Sequence, residues 1–85
     1  MRRWVSSESY RAAVQELVAA RAAAGLTQRD VATRMGKSPS FVAKVEIGER
    51  RLDFLEFVVM ARAIGQEPGA LLGAIAAKLG SQIDI

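Results

Sequence analysis

The sequence predicts a small all-α protein, and three observations carry that prediction. Hydrophobic residues make up 51% of the chain, and many of them are alanine, a strong helix former. Only two prolines occur, so few positions interrupt a helix. No stretch shows the alternation of apolar and polar residues that indicates a strand. We therefore expect helices only, packed as one domain over residues 1–85, with no internal repeat.

The first two helices are predicted from apolar spacing and from their end signals. Helix one covers about residues 7–24, where one apolar stripe recurs at helical intervals: Tyr10, Val14, Leu17 and Val18. Helix two covers about residues 28–35, with Val31, Ala32 and Met35 facing inward. Thr27 can cap its first turn, and Asp30 can reach back to the amide of the cap residue.

Helix three is predicted over residues 39–46. Ser38 can cap it, and Pro39 stands at the first helical position, where no amide donor is needed. Gly36 can adopt the left-handed conformation that ends helix two and turns the chain sharply. Val42 and Val45 are expected to face the core. Two helices joined by so short a turn predict a helix-turn-helix, in which the second helix can enter the DNA major groove.

Two more helices follow a basic loop at residues 49–52. Asp53 and Glu56 form a second cap-and-acid pair that starts helix four, which runs to about residue 64. Its predicted apolar side consists of Phe54, Phe57, Val58, Ala61 and Ile64. Helix five is predicted over residues 68–79, followed by a short tail. Its predicted apolar side consists of Leu71, Leu72, Ile75 and Leu79.

Composition excludes several kinds of chemistry. The chain has no Cys and no His, so disulfides, thiolate metal sites and histidine catalysis are absent. The nine acidic residues form no recognisable catalytic pair, and no glycine-rich phosphate loop occurs. We therefore expect no enzyme activity, no metal and no cofactor. A signal peptide and an apolar run of about 20 residues are also missing, so a cytoplasmic protein without membrane contact is expected.

The distribution of charge favours a polyanionic partner. The net charge is +3. Residues 27–51 hold six basic and three acidic residues, a balance of +3, and residues 1–26 hold four and two, a balance of +2. Residues 52–85 hold two basic and four acidic residues, a balance of −2. Basic charge is thus concentrated in and before the helix-turn-helix, although ordinary solvated faces would account for a balance this modest.

These residues resemble a known family. Residues 25–65 contain a Gly-Leu-Thr-Gln start of helix two, a Gly turn, a Glu-x-Gly exit from helix three and an Ala-x-Ala-Ile-Gly end of helix four. The pattern is similar to the Xre-type helix-turn-helix proteins, which have the fold of the lambdoid phage repressors and Cro. The resemblance covers about residues 14–72 and implies a compact five-helix lambda-repressor-like domain that binds double-stranded DNA.

The resemblance also implies roles for individual residues. The positions that read base edges are Pro39, Ser40, Phe41 and Lys44. The positions that contact phosphate are Gln28, Lys37, Arg50 and Arg51. Arg21 and Glu46 match a salt bridge that ties helix one to the end of helix three in some members. The alternatives are that Phe41 belongs to the core, that Gln28 is an ordinary first-turn residue, and that Arg21 and Glu46 are only surface neighbours.

Few residues of helix three are suited to direct contact with base edges. Lys44 can donate to guanine, and Phe41 can pack on a thymine methyl group. Pro39 has no amide donor and no polar side chain, and it stands where the phage proteins commonly have Gln. Ile47 also departs from the family, which often has a polar or basic residue there. DNA shape and arginine contacts are therefore expected to supply part of the specificity.

The leading hypothesis is a sequence-specific transcriptional regulator that binds an inverted repeat as a homodimer. Helix five and the tail, residues 68–85, are expected to form the dimer contact through Leu71, Leu72, Ile75, Leu79 and the tail. The alternative is an antitoxin or anti-repressor that acts mainly by binding another protein. The thin set of base-reading residues and the acidic C-terminal part favour this alternative slightly.

Overall fold

The protein is described by a computed structural model covering residues 7–85. Five helices follow one another: α1 Glu8–Ala23, α2 Gln28–Met35, α3 Pro39–Glu46, α4 Phe54–Ile64 and α5 Pro68–Leu79. Over residues 7–85 there is no strand, so the predicted all-α fold class is confirmed. The first six residues of the predicted 1–85 domain, including two of its arginines, lie outside the described residues.

The helix ends form as their sequence signals predict. The Thr27 hydroxyl accepts the Asp30 amide at 3.0 Å, and the Asp30 carboxylate accepts the Thr27 amide at 2.8 Å. Asp53 and Glu56 form the same reciprocal pair at the start of α4. Ser38 accepts the Phe41 amide at 3.3 Å ahead of Pro39 at the first turn of α3. These caps satisfy amides that have no partner within the helix.

A left-handed glycine makes the turn between α2 and α3. Gly36 has φ 72°, and the next amide, that of Lys37, donates to Ala32 O at 2.9 Å. An L-residue with a side chain is disfavoured in this conformation, whereas glycine adopts it freely. The turn sets α3 against α2, and the inward residues Val31, Val42 and Val45 are fully buried.

One apolar cluster joins all five helices. Its members are Leu17 of α1, Val31 and Ala32 of α2, Val42 and Val45 of α3, Met60, Ala61, Ala63 and Ile64 of α4, and Leu71 and Ile75 of α5. No polar or charged residue of the described chain is buried in it. The cluster fixes the orientation of α3, because that helix is fully buried along its inner side.

Two residues of the predicted apolar sides are exposed. Phe54 of α4 is 92% exposed, and Leu72 of α5, which was predicted to contribute to a dimer contact, is 55% exposed. The physical reason is shared: the space between α1 and the first turns of α4 and α5 is an open apolar groove, which both side chains line. Burial on α4 shifts instead toward its C-terminal half, where Met60 and Ala63 join the core.

The tail is attached to the start of α1. The Asp84 carboxylate accepts the amides of Glu8 at 3.2 Å and Ser9 at 3.1 Å, and the Ser9 hydroxyl donates to it at 2.6 Å. The Ser9 hydroxyl bond is the main cause that lowers the pKa of Asp84 below its ordinary value. Ser7 caps the next amide, that of Tyr10. Residues 81–85 thereby contribute to the capping of the first helix.

Candidate nucleic-acid interface

The outer side of α3 faces solvent. Its inner residues, Val42 and Val45, are fully buried, whereas Ser40 and Lys44 are exposed on the opposite side and Pro39 is exposed at the first turn. Helical geometry places positions 40 and 44 on one face, one turn apart. The Ser40 hydroxyl lies 3.0 Å from the Ser38 hydroxyl. Three of the four predicted base-reading residues are therefore accessible, and two of them share one face.

Phe41, the fourth of these residues, has two kinds of neighbour. It is half-buried and packs against the core cluster, so the alternative interpretation of Phe41 as a core residue is partly met. Two cations also lie over its ring: the Lys37 Nζ is 5.2 Å and the Arg50 Cζ 4.7 Å from the ring centroid. Cations at these distances are attracted by the π-electrons of the ring. Phe41 thus contacts two predicted phosphate-binding residues beside the start of α3.

Arg50 is held in place by Glu56. The two guanidinium NH groups donate to the two carboxylate oxygens at 2.6 and 2.8 Å. A two-pronged bond of this kind fixes the plane of the guanidinium as well as its position. The Arg50 hydrogen bond is the main cause that lowers the pKa of the Glu56 carboxyl. Glu56 also accepts the Asp53 amide, so Arg50 is anchored to the first turn of α4.

Arg51 is positioned by α1. Its Cζ lies 4.4 Å from the centroid of the Tyr10 ring. The Tyr10 hydroxyl accepts the amide of Leu52 at 3.2 Å, which ties the basic loop to the first helix. Both contacts orient the loop that carries Arg50 and Arg51, although neither comes from the helix-turn-helix itself.

A second two-pronged ion pair joins α1 to the end of α3. The Arg21 Nε donates to Glu46 Oε2 at 2.6 Å and a terminal NH to Oε1 at 2.9 Å. The Arg21 and Glu46 side chains are only 16% and 9% exposed. The hydrogen bond to Glu46 raises the pKa of Arg21. The Gln28 amide group donates to the same carboxylate at 2.8 Å, so the start of α2 is joined to the pair.

Arg21 also donates to the carbonyl oxygen of Leu26 at 2.8 Å. The structure thereby brings Arg21, Gln28 and Glu46 into one network that supports α3 from behind. It brings Lys37, Phe41 and Arg50 into a second group in front. It leaves Lys44 apart from both, exposed on the outer side of α3.

The comparisons with known proteins identify the family of this fold. The family model described as helix-turn-helix matches residues 17–71. An XRE-family like protein from Pseudomonas syringae pv. tomato str. DC3000 is 47% identical, with a TM-score of 0.78 over 82% of this chain and 85% of that chain. The chain belongs to the XRE-type helix-turn-helix family. Membership makes it a DNA-binding transcriptional regulator, a type of protein that is generally not an enzyme.

A second solved structure shares the fold of this XRE-type domain. The crystal structure of the clp gene regulator ClgR from C. glutamicum superposes with a TM-score of 0.76 at 22% identity, over 91% of this chain and 100% of that chain. No curated protein sequence matches the chain. The predicted extent of the resemblance, residues 14–72, is close to the matched range of 17–71.

Two positioning residues of the XRE-type domain were missed by reasoning from sequence. Glu56 carried a signal, since it is the acid of a capping pair, but its second role toward Arg50 depends on the loop conformation. Tyr10 lies 41 residues before Arg51, and only the packed fold brings them together. Arg34, counted with the basic residues, donates instead to the Ala63 carbonyl oxygen at 2.9 Å.

Residues 7–85 contain no group of three or more acidic, histidine or cysteine side chains placed to hold a metal ion. Within the same residues, none of the helices has the length and apolar character needed to cross a bilayer.

Proposed function

We propose that this XRE-type domain recognises a specific DNA sequence as a homodimer on an inverted repeat, with α3 lying in the major groove. The observation that carries the proposal is the exposed side of α3, flanked by the cations gathered around Phe41. A basic surface beside a protruding helix suits the phosphates and the base edges of one groove. We place its action in the cytoplasm, on nucleoid DNA.

The base-reading roles follow from side-chain chemistry. Lys44 donates to guanine O6 or N7, and Ser40 donates or accepts with little discrimination. Pro39 and the accessible part of Phe41 offer apolar contact to a thymine methyl group. A single long donor and several weak contacts leave part of the specificity to the shape and stiffness of the DNA.

The phosphate-contacting roles are supported by the cations at the two ends of α3. Lys37 lies in the turn before the helix, and Arg50 and Arg51 lie in the loop after it. Gln28 uses its side-chain amide for Glu46, so its contribution to phosphate binding comes from its place at the first position of α2, where amides point outward. Together these groups orient the domain on the duplex.

The dimer contact expected on α5 has to be revised. Leu71 and Ile75 are only 5% exposed, so they stabilise the protomer and are not available to a partner. Leu79 packs partly against the core, whereas Leu72, Ile83 and Ile85 remain exposed. The homodimer stays part of the proposal because one domain covers few base pairs, and two-fold pairing doubles the contacts.

The second candidate is an antitoxin or anti-repressor that acts mainly by binding another protein. Large exposed apolar side chains mark interaction surfaces, and two of them at the start of α4 favour this candidate. Phe54 is 92% exposed and Leu55 is 77% exposed. A gel shift with the DNA upstream of the chain's own gene separates the candidates, because only the regulator is expected to bind that DNA tightly and specifically.

Two alanine substitutions test the DNA-binding face. The target is first recovered by genome-wide mapping of bound DNA and then titrated by fluorescence anisotropy at several salt concentrations. Lys44→Ala should weaken binding by about 1–3 kcal/mol and relax the preference at one base pair. Arg51→Ala should weaken binding to all sequences alike and reduce the salt slope by about 1.

Arg62→Ala is the matched control, because it removes an exposed positive charge from the end of α4. It should leave both the affinity and the salt slope close to those of the unaltered protein. If all three variants bind alike, α3 and its flanking loop are not the DNA-binding face.

A further inference from the structure

An apolar groove lies between α1, the start of α4 and the start of α5. Its volume is about 440 Å³, and its walls include Val14 and Leu17 of α1, Phe57 of α4, and Leu72 and Ile75 of α5. A void of about 150 Å³ is enough to hold a benzene molecule, so this groove has room for a large side chain and its neighbours. Nothing within residues 7–85 fills it.

A protruding phenylalanine stands at the rim of the same groove. Phe54 is the first residue of α4 and is 92% exposed, although it lines the groove together with Phe57. An aromatic side chain left almost wholly in water forgoes the burial of about 150–250 Å² that such residues usually achieve. The molecule therefore presents a projection and a recess of matching chemistry side by side.

We propose that a second copy of this chain occupies the groove, with Phe54 of each protomer inserted into the groove of the other. This inference rests on the proposed function, since it specifies the face through which the proposed homodimer forms. A projection beside its own recess is complementary to itself under a two-fold rotation, so both contacts form at once and the assembly closes as a dimer.

The area available suits a small, reversible dimer contact. Each inserted ring buries about 150–250 Å² and covers a comparable area of wall, so two reciprocal insertions bury on the order of 600–1,000 Å². The exposed Leu55 and Leu72 side chains adjoin Phe54 in sequence or across the groove and enlarge the contact. The total approaches the roughly 1,200 Å² at which specific, stable interfaces begin.

The position of the interface suits the DNA-binding face. Phe54 follows Arg51 by three residues, so joining two protomers at Phe54 brings their basic loops close together. The loops would then meet the phosphates near the centre of the inverted repeat, with one α3 on each side. The arrangement couples the spacing of the half-sites to this contact.

Sedimentation equilibrium of the full chain tests the proposal. Phe54→Asp should weaken the dimer on the order of 100-fold or more, because buried aromatic anchors dominate interfaces and each dimer contains two of them. The variant should still fold, since Phe54 is exposed and an acidic residue is favourable in the first turn of a helix. Circular dichroism on heating verifies folding.

Leu72→Gln alters the wall instead of the projection and should weaken the dimer by a smaller factor. Ile47→Asp is the control, because Ile47 is 63% exposed but does not line the groove, and it should leave the dimer intact. High salt should not weaken the dimer, whereas it should weaken DNA binding.

The outcomes separate the interface from the proposed function. If the unaltered chain is dimeric and Phe54→Asp dimerises equally well, the groove is not the interface, while the homodimer stands. If the unaltered chain is monomeric at every concentration both with and without its DNA target, the homodimer fails as well. The groove then belongs to another occupant, such as a different protein or an apolar ligand.

Discussion

Two sides of the molecule differ in how completely their polar groups are paired and their apolar side chains buried. One carries α2 and α3, and the other carries the groove. Around α3 the key polar groups are paired, in the Arg21–Glu46–Gln28 network and in the Arg50–Glu56 pair. The valines of α3 are fully buried there. Around the groove, by contrast, large apolar side chains such as Phe54 and Leu72 remain in water.

Because of this difference, the two sides suit different kinds of partner. A surface whose side chains are already fixed loses little conformational freedom on binding, which suits a rigid ligand such as the DNA duplex. A surface with unburied apolar area gains free energy when another apolar surface covers it. The support of α3 and its flanking loop is therefore ordered in the free protein, and in the proposed homodimer the apolar area of the second side is covered by association.

The largest expected effect tests the support behind α3. Glu46→Ala leaves the enclosed Arg21 guanidinium without its carboxylate and removes the acceptor of Gln28. Loss of one partner of this partly buried pair should lower the free energy of unfolding by about 2–3 kcal/mol, because hydrogen bonds to charged groups contribute about 1.5–3 kcal/mol. Urea denaturation followed by circular dichroism measures the change.

Glu49→Ala is the control, since Glu49 is exposed and lies just after the same helix. It should change stability by no more than about 0.5 kcal/mol. Equal effects of the two substitutions would mean that the network behind α3 contributes nothing.

Two glycine substitutions, one on each side of the molecule, should change the free energy of unfolding by smaller amounts. Gly36→Ala places a side chain at φ 72°, with no neighbour within 4 Å of the new carbon, so the cost is one of backbone conformation. It should destabilise the protein by about 1–2 kcal/mol. Gly73→Ala, in α5 and equally free of neighbours, should stabilise it by about 0.5–1 kcal/mol.

Thermal unfolding of both glycine variants measures the two changes in stability. Opposite signs are expected, because Gly36 has the left-handed conformation and Gly73 does not. Two shifts of the same sign would contradict the account of the turn between α2 and α3.

The smallest effect is the change of folding stability with pH, which comes from the titration of carboxyl groups and is absent near neutral pH. Hydrogen bonds lower the pKa of Asp30, Glu56, Glu67 and Asp84, with Thr27, Arg50, Ala70 and Ser9 as the respective main partners. The folded state therefore binds fewer protons than the unfolded chain, so stability is complete above about pH 5 and is lost as the pH falls below about 4.

Because the chain has no histidine, the unfolding temperature should be flat between pH 5.5 and 7. Melting curves from pH 2 to 8 measure this, and Asp84→Asn should make the acid decline shallower. A transition near pH 6 would be inconsistent with these assignments.

The parts predicted well from sequence are those fixed by local chemistry. Thr27 with Asp30, Ser38 with Pro39, and Gly36 each act within one helical turn, and the helix bounds follow from them. The pairing of Arg21 with Glu46 was obtained from the family resemblance, since 25 residues separate the two partners.

The groove could not be predicted, because it depends on how closely α1, α4 and α5 approach. Periodicity places Phe54 on the same face as Phe57 and Ala61, but it does not show how much of that face is covered. In the structure only the C-terminal part of α4 is covered, so the pattern identifies the face correctly but not what lies opposite it. The same holds for Glu56 and Tyr10, whose roles toward Arg50 and Arg51 arise only from the packed fold.

The bonds between Asp84 and Ser9 have a topological consequence. They bring the last residues of the tail beside the first turn of α1, so the described chain forms a nearly closed ring. The bonds close a loop between two residues that are 75 positions apart, so the contact can report on unfolding. Dyes attached beside Ser9 and beside Asp84 would lie close together in the folded protein and separate when it unfolds.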